Sequence, residues 1–195
     1  MITEILKNMY HVAIGRADVA RWSDTSNLAR GWDARTERMS KHVPGGCRVI
    51  ELGAGRQTLR SLLPQDCVYI PTDIIEREPG TVTIDLNARS LPDLAQLKPE
   101  LVFASGVLEY VHDLPQLLRW LARYFRLGIV SYACTSSRPG TLRRMVARIG
   151  RRRYGWFNTY NEEEIGMLFQ AAGFQSEVLD EWGPGHKIFR FFRKA

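Results

Sequence analysis

Val49-Ile50-Glu51-Leu52-Gly53-Ala54-Gly55-Arg56-Gln57-Thr58-Leu59 is an apolar strand ending in a carboxylate, then a glycine turn, then a predicted helix start. A backbone without Cβ can turn sharply and lie against a ligand, and a following helix offers unpaired N–H groups. The stretch reads as a site for a nucleotide-type cofactor. Alone it decides little, because many glycine turns only join a strand to a helix.

Further strand-like segments also end in polar residues. Val68 to Thr72 leads to Asp73, Thr81 to Ile84 leads to Asp85, and Leu101 to Ala104 leads to Ser105-Gly106. These runs are β-branched and aromatic, bounded by Pro, Gly and Asp, and read as alternating with helices, which predicts a parallel α/β sheet. Ligands of such sheets sit outside the carboxyl ends of the strands.

Glu51-x-Gly53-x-Gly55, Asp73, Asp85-Leu86 and Ser105-Gly106-Val107-Leu108-Glu109-Tyr110-Val111-His112-Asp113 together resemble the class I S-adenosylmethionine-dependent methyltransferases, over about residues 45 to 190. One departure is Gln57, which stands where the family has its third glycine. The resemblance implies a doubly wound, seven-stranded, mainly parallel sheet with a C-terminal antiparallel hairpin. It implies S-adenosylmethionine as cofactor, with S-adenosylhomocysteine as product. Asp73 would accept from the ribose hydroxyls, since a carboxylate takes two hydrogen bonds at once. Asp85 would accept from the adenine amino group, and Leu86 would supply an N–H and an apolar contact. Glu51 would face the methionine end and the backbone at Ser105 would hold it. The expected cofactor set is Glu51, Gly53, Ala54, Gly55, Asp73, Ile74, Asp85, Leu86, Ser105 and Gly106.

A nicotinamide dinucleotide is the rival, because Gly53-x-Gly55-x-x-Thr58 followed by Asp73 partly matches that fingerprint. Against it, Thr58 replaces the last Gly or Ala, no Tyr lies four residues before a Lys, and Asp85 has no required job.

The 195 residues, 45% of them hydrophobic, fit one domain. The resemblance implies an N-terminal helical cap (1–44) and a methyltransferase domain (45–195) with a basic insert at about 138–156. No run is apolar enough to span a bilayer and no secretion signal is evident, so a cytoplasmic location is expected. Cys47, Cys67 and Cys134 form no CxxC pair, and no metal is expected.

Helical pieces are predicted near 2–20 and 29–43, the second carrying Trp32, Arg35, Met39 and Val43 at helical spacing. Asp113 is expected to cap a helix with Leu114, Leu117, Leu118, Leu121 and Phe125 on one face, and a fifth strand is expected at about 127–133. Asn161-Glu162-Glu163-Glu164 resembles a capping box, and the helix it opens ends at Gly173. Strands at about 175–181 and 187–192 close the chain as a hairpin.

Residues 138–153 hold seven arginines and no acid; removing those seven from the 27 basic residues leaves 20 against 21 acidic. The positive excess is therefore local. Leu142, Met145, Val146 and Ile149 share one face of a predicted helix here. Four readings stay open: a solvated helix resting its apolar face on the domain, a site for an anionic acceptor, a membrane surface carrying one, or a nucleic-acid footprint. Tyr132-Ala133-Cys134-Thr135-Ser136 weakly resembles the cysteine motif of RNA cytosine-5 methyltransferases, though the fourth strand lacks that family's second cysteine.

Methyl transfer asks mainly for alignment and exclusion of water. For a hydroxyl acceptor a base would help, and His112 is the expected candidate, with Tyr132, Tyr160 and His186 behind it. Trp156 to Tyr160 could line the acceptor pocket. The expected activity is methyl transfer to a small-molecule or glycan-type acceptor at oxygen; an RNA methyltransferase, a non-catalytic cofactor-binding partner subunit and a NAD-dependent oxidoreductase are the alternatives.

Overall fold

The computed structural model describes residues 2–193. Seven strands form one sheet: β1 (Arg48–Leu52), β2 (Val68–Asp73), β3 (Val82–Thr83), β4 (Leu101–Ala104), β5 (Leu127–Ala133), β6 (Gln175–Gly183) and β7 (His186–Phe192). Their order is β3-β2-β1-β4-β5-β7-β6; the first five are parallel and β7 runs antiparallel to both β5 and β6. This is the predicted doubly wound α/β sheet with its terminal hairpin.

Strand alternation divides the core into two layers. Ile50, Leu52, Val102, Ala104, Val130 and Phe191 face α4 (Leu114–Tyr124) and α6 (Glu162–Ala171). Val49, Leu101, Phe103, Ile129 and Ile188 face Met39 of α3 (Gly31–Ser40) and Val43 beyond it. Asp113 caps α4 by accepting from the Gln116 N–H at 2.8 Å, and Pro115 falls in the first turn, where its missing N–H costs nothing. α4 buries Leu114, Leu117, Leu118, Trp120 and Leu121, each worth about 1.5–3 kcal/mol of transfer free energy. The Asn161–Glu164 capping box opens α6, with both reciprocal bonds at 2.8 Å.

The crossovers after β1, β2 and β3 contain no α-helix. The helix expected beyond Gly55 is a single 3-10 turn at Thr58–Ser61, because Pro64 disfavours helical backbone at Leu63 and leaves too few residues to propagate. The N-terminal region is α1 (Ile2–Ile14), the short α2 (Val19–Ser23) and α3, rather than two long pieces. Cys47 and Cys67, twenty residues apart in sequence, are free thiols whose sulfurs lie 3.8 Å from each other at the amino ends of β1 and β2. No helix among the described residues is long and apolar enough to cross a membrane.

The arginine-rich segment forms α5 (Leu142–Arg152), capped by Thr141. Its apolar stripe does not rest on the domain: Leu142 is 72% and Val146 61% exposed, and Met145 and Ile149 are exposed as well. α1 also turns apolar residues outward, Ile2, Leu6 and Tyr10 among them.

Two glycines test the packing in opposite directions. A Cβ at Gly128 of β5 would enter the Phe191 ring, so Gly128→Ala should cost about 1–3 kcal/mol in urea denaturation. Gly150, in the last turn of α5, has nothing within 4 Å of the added carbon, so Gly150→Ala should stabilise by about 0.5–1 kcal/mol.

Candidate functional site

β1 hydrogen-bonds to β2 on one side and β4 on the other, with Leu52 level with both Thr72 and Ala104. Chain direction across the sheet reverses at β1 and β4, and a cleft opens beyond their carboxyl ends, as such switch points favour. It holds about 160 Å³ of solvent-accessible space. All ten residues of the expected cofactor set, Glu51, Gly53, Ala54, Gly55, Asp73, Ile74, Asp85, Leu86, Ser105 and Gly106, line it. Segment 17–36 covers it with Ala17, Trp22, Leu28, Ala29, Trp32, Asp33, Arg35 and Thr36.

The glycine turn is shaped by close approach. Gly53 has φ +64, and a Cβ there would lie 2.6 Å from Val107 Cγ2. The Ala54 N–H donates to the Thr72 carbonyl at 2.9 Å, and the Gly55 N–H donates to Asp73 Oδ2 at 2.8 Å. Gln57 adopts the left-handed backbone (φ 56) that a glycine would take at no cost. Its buried side-chain amide donates to Thr81 Oγ1 at 2.9 Å, a bond of about 1 kcal/mol against a backbone cost of about 1–2. The departure from the family's glycine is thus partly offset locally. Arg56 pairs with Asp33 at 2.7 Å and bonds the Leu28 carbonyl, and Thr58 donates to Asp33 at 2.8 Å, which ties the glycine loop to the covering segment.

Four ionisable groups are buried in or behind the cleft. Asp73 lies 3.0 Å from Arg77 Nη1 and also accepts from the Ile75 N–H, leaving acceptor capacity for a ligand. Glu51 is 3% exposed; its carboxylate takes the Tyr69 hydroxyl, and burial, reinforced by Asp73, raises its pKa to about 8. Arg35 donates through Nε to Ser105 Oγ at 2.9 Å and through Nη2 to the Ser105 carbonyl at 3.1 Å. No carboxylate among the described residues lies within ion-pair distance of it. Burial lowers its pKa, opposed by the more distant Glu109. Glu109 itself accepts from the Ala133 N–H at 2.8 Å and leaves Oε2 buried with no hydrogen-bond partner among the described residues. Asp85 sits at the exposed rim and accepts from the Asn87 N–H at 2.9 Å.

Arg35 has the strongest ligand-binding features that sequence reading passed over, because its spacing marked it only as part of a helical face. The structure does not bring His112 to the cleft. It is exposed, its ring edge-on to Phe157 and close to Gly15, and its N–H donates to Asn87 Oδ1 at 2.6 Å. Tyr132 is fully buried, donating to Asn158 Oδ1 at 2.6 Å and accepting from the Tyr160 N–H. Neither Tyr160 nor His186 lines the cleft. Cys134 also lies outside it, its thiol pushed up to about 12 mainly by burial, which opposes thiolate chemistry. A smaller pocket shares Ala17, Trp22 and Tyr110 with the cleft and is bordered by His11, Asp18, Arg21 and Phe157. His11 Nε2 lies 3.7 Å from Asp18 Oδ2 there, and its Nδ1 is buried with no hydrogen-bond partner among the described residues. Trp156 packs edge-on to Tyr110 rather than into the cleft.

A family profile described as a methyltransferase domain matches residues 25–178. The chain belongs to this methyltransferase family. Among solved structures, the mitomycin 7-O-methyltransferase MmcR is 14% identical with a TM-score of 0.66, covering 98% of this chain and 68% of that one. Human N-acetylserotonin methyltransferase in complex with SAM is 15% identical with a TM-score of 0.66, covering 96% and 59%. The N-terminal domain of EvdMO1, determined in the presence of SAH and D-fucose, is 17% identical with a TM-score of 0.61, covering 86% and 84%. No curated protein matches the sequence at a significant level. At these identities the structures establish a shared fold.

The raised pKa of Glu51 gives a sign that can be checked. Its carboxyl titrates near 4.5 when unfolded and near 8 when folded, so the stability it contributes is full below pH 4.5 and declines as pH rises to 8. Urea denaturation across that window should show the decline, and Glu51→Gln should flatten it.

Proposed function

We propose that the cleft binds S-adenosylmethionine and that the enzyme transfers its methyl group to an oxygen of a small-molecule or glycan-type acceptor. The observation that carries this is a buried arginine with no carboxylate partner among the described residues, set in one cleft with three strand-end carboxylates. The cofactor's methionine end is a zwitterion beside a sulfonium, so it needs a cation and an anion close together. Arg35, backed by Ser105, would take the carboxylate. Glu51 would face the ammonium and give up its proton as that cation binds. Asp73 would accept from the ribose hydroxyls, and Asp85 with Leu86 would hold the adenine.

S-adenosylmethionine supplies a methyl group already activated by its sulfonium. The protein's share is alignment and dryness. Trp22, Trp32 and Tyr110 line the cleft and would exclude water from the acceptor's path. His11, beside Asp18 in the adjoining pocket, is better situated than His112 to take a hydroxyl proton. An oxygen acceptor is in keeping with the similarity to the mitomycin 7-O-methyltransferase MmcR, and a glycan-type one with the similarity to the EvdMO1 domain determined in the presence of D-fucose.

Calorimetry should give micromolar-range binding of S-adenosylmethionine and S-adenosylhomocysteine and none of NAD. Asp73→Ala should abolish it, and Arg35→Gln should weaken it at least tenfold, about the 1.4 kcal/mol of one charge-assisted hydrogen bond. Absence of sulfur-cofactor binding, or a preference for NAD, would contradict the proposal. With a hydroxyl acceptor found by screening sugars and phenols for S-adenosylhomocysteine release, His11→Gln should lower turnover roughly a hundredfold and His112→Gln little.

A further inference from the structure

α5 is docked onto the domain by its charged side. Arg144 pairs with Glu164 at 2.6 Å and donates to the Ser137 carbonyl at 3.0 Å, while the Arg151 guanidinium sits 5.2 Å from the Trp156 ring centroid. The opposite face presents Leu142, Met145, Val146 and Ile149 to solvent, with exposed Arg143 and Arg148 at its margins. This inverts the usual surface helix, which buries its apolar stripe. α1 contacts it, joined where the Asn8 amide donates to the Arg153 carbonyl at 2.9 Å; Arg21 of α2 donates both to Asn8 Oδ1 at 3.1 Å and to the Tyr154 carbonyl at 2.9 Å. The exposed Ile2, Leu6 and Tyr10 of α1 stand one turn apart and form a second outward stripe. Monomeric soluble proteins rarely expose contiguous apolar surface of this kind without a use for it.

We propose that the outward face of α1 and α5 is a docking surface for an anionic lipid bilayer. Charge chooses this occupant. Residues 138–153 carry no carboxylate, so a second copy pairing through α5 would set arginines against arginines with nothing to offset them. A nucleic acid would engage the arginines but leave the leucine, methionine, valine and isoleucine without a partner. An anionic bilayer satisfies both halves: the stripe enters the headgroup boundary and the marginal arginines meet lipid phosphates. The surface also adjoins the cleft, because Trp156 under Arg151 packs edge-on to Tyr110, a residue of the cleft wall. The proposal is independent of the methyl-transfer reading.

The test is co-sedimentation with vesicles of equimolar phosphatidylcholine and phosphatidylglycerol, against phosphatidylcholine alone, at low and high salt. The protein should sediment with the anionic vesicles, not the neutral ones, and less at high salt. Arg143→Gln and Arg148→Gln should each weaken partitioning about fivefold. Met145→Glu with Val146→Glu should reduce it at least tenfold, and the exposed position of both predicts an unchanged melting temperature. Failure of the wild type to bind anionic vesicles would overturn the proposal. So would binding indifferent to the glutamates, which would be charge attraction alone, or a salt-insensitive dimer in solution that the same glutamates dissolve.

Discussion

Everything in the cleft depends on how the chain leaves β1. Between Leu52 and Gln57 the backbone must reverse against Val107 on one side and keep an open face toward ligand on the other. A side chain at Gly53 would meet Val107 at 2.6 Å, so the turn exists only without one. Asp73 then accepts the Gly55 N–H, which locks the loop to the end of β2 while holding that carboxylate at the cleft wall. Arg56 and Thr58 bind Asp33, and the covering segment is thereby registered on the same loop. One backbone constraint thus positions the floor, one wall and the cover.

The second organising fact is buried charge. Removing an ion from water costs several kcal/mol unless it is paired, and a fold retains such groups where a ligand completes them. Asp73 has Arg77, but Arg35 has only hydroxyl and carbonyl partners, and Glu51 relieves its burial by holding its proton toward pH 8. A zwitterionic ligand between Arg35 and Glu51 would give each its counter-charge. On the proposed reading, binding would relieve the burial of both groups and would therefore depend on pH.

The strand ends were legible because each combines a β-branched run with a carboxylate or glycine, and parallel topology brings all such ends to one edge. α4 and α6 were legible from Asp113 and Asn161, whose side chains cap as their types predict. Other features were set by tertiary context. Arg35 falls at apolar spacing on α3, and nothing local distinguishes a buried guanidinium from a snorkelling one. The predicted helix after Gly55 was undone by Pro64, seven residues past Gln57. On α5 the period showed that a stripe exists, yet periodicity carries no information on which way it faces; Glu164, twenty residues from Arg144, and Trp156, just beyond the helix end, hold Arg144 and Arg151 inward. Chain proximity favoured His112 because it follows β4, whereas its ring packs edge-on to Phe157 and does not line the cleft; His11, from α1, borders the smaller pocket that shares Ala17, Trp22 and Tyr110 with it.

A crystal structure of the chain with S-adenosylhomocysteine tests the central claim most directly. The account predicts ribose hydroxyls on Asp73, adenine between Asp85 and Leu86, and the amino-acid end between Glu51 and the Arg35–Ser105 pair. A ligand seated elsewhere, or one in this cleft that leaves Arg35 without an anion, would contradict it.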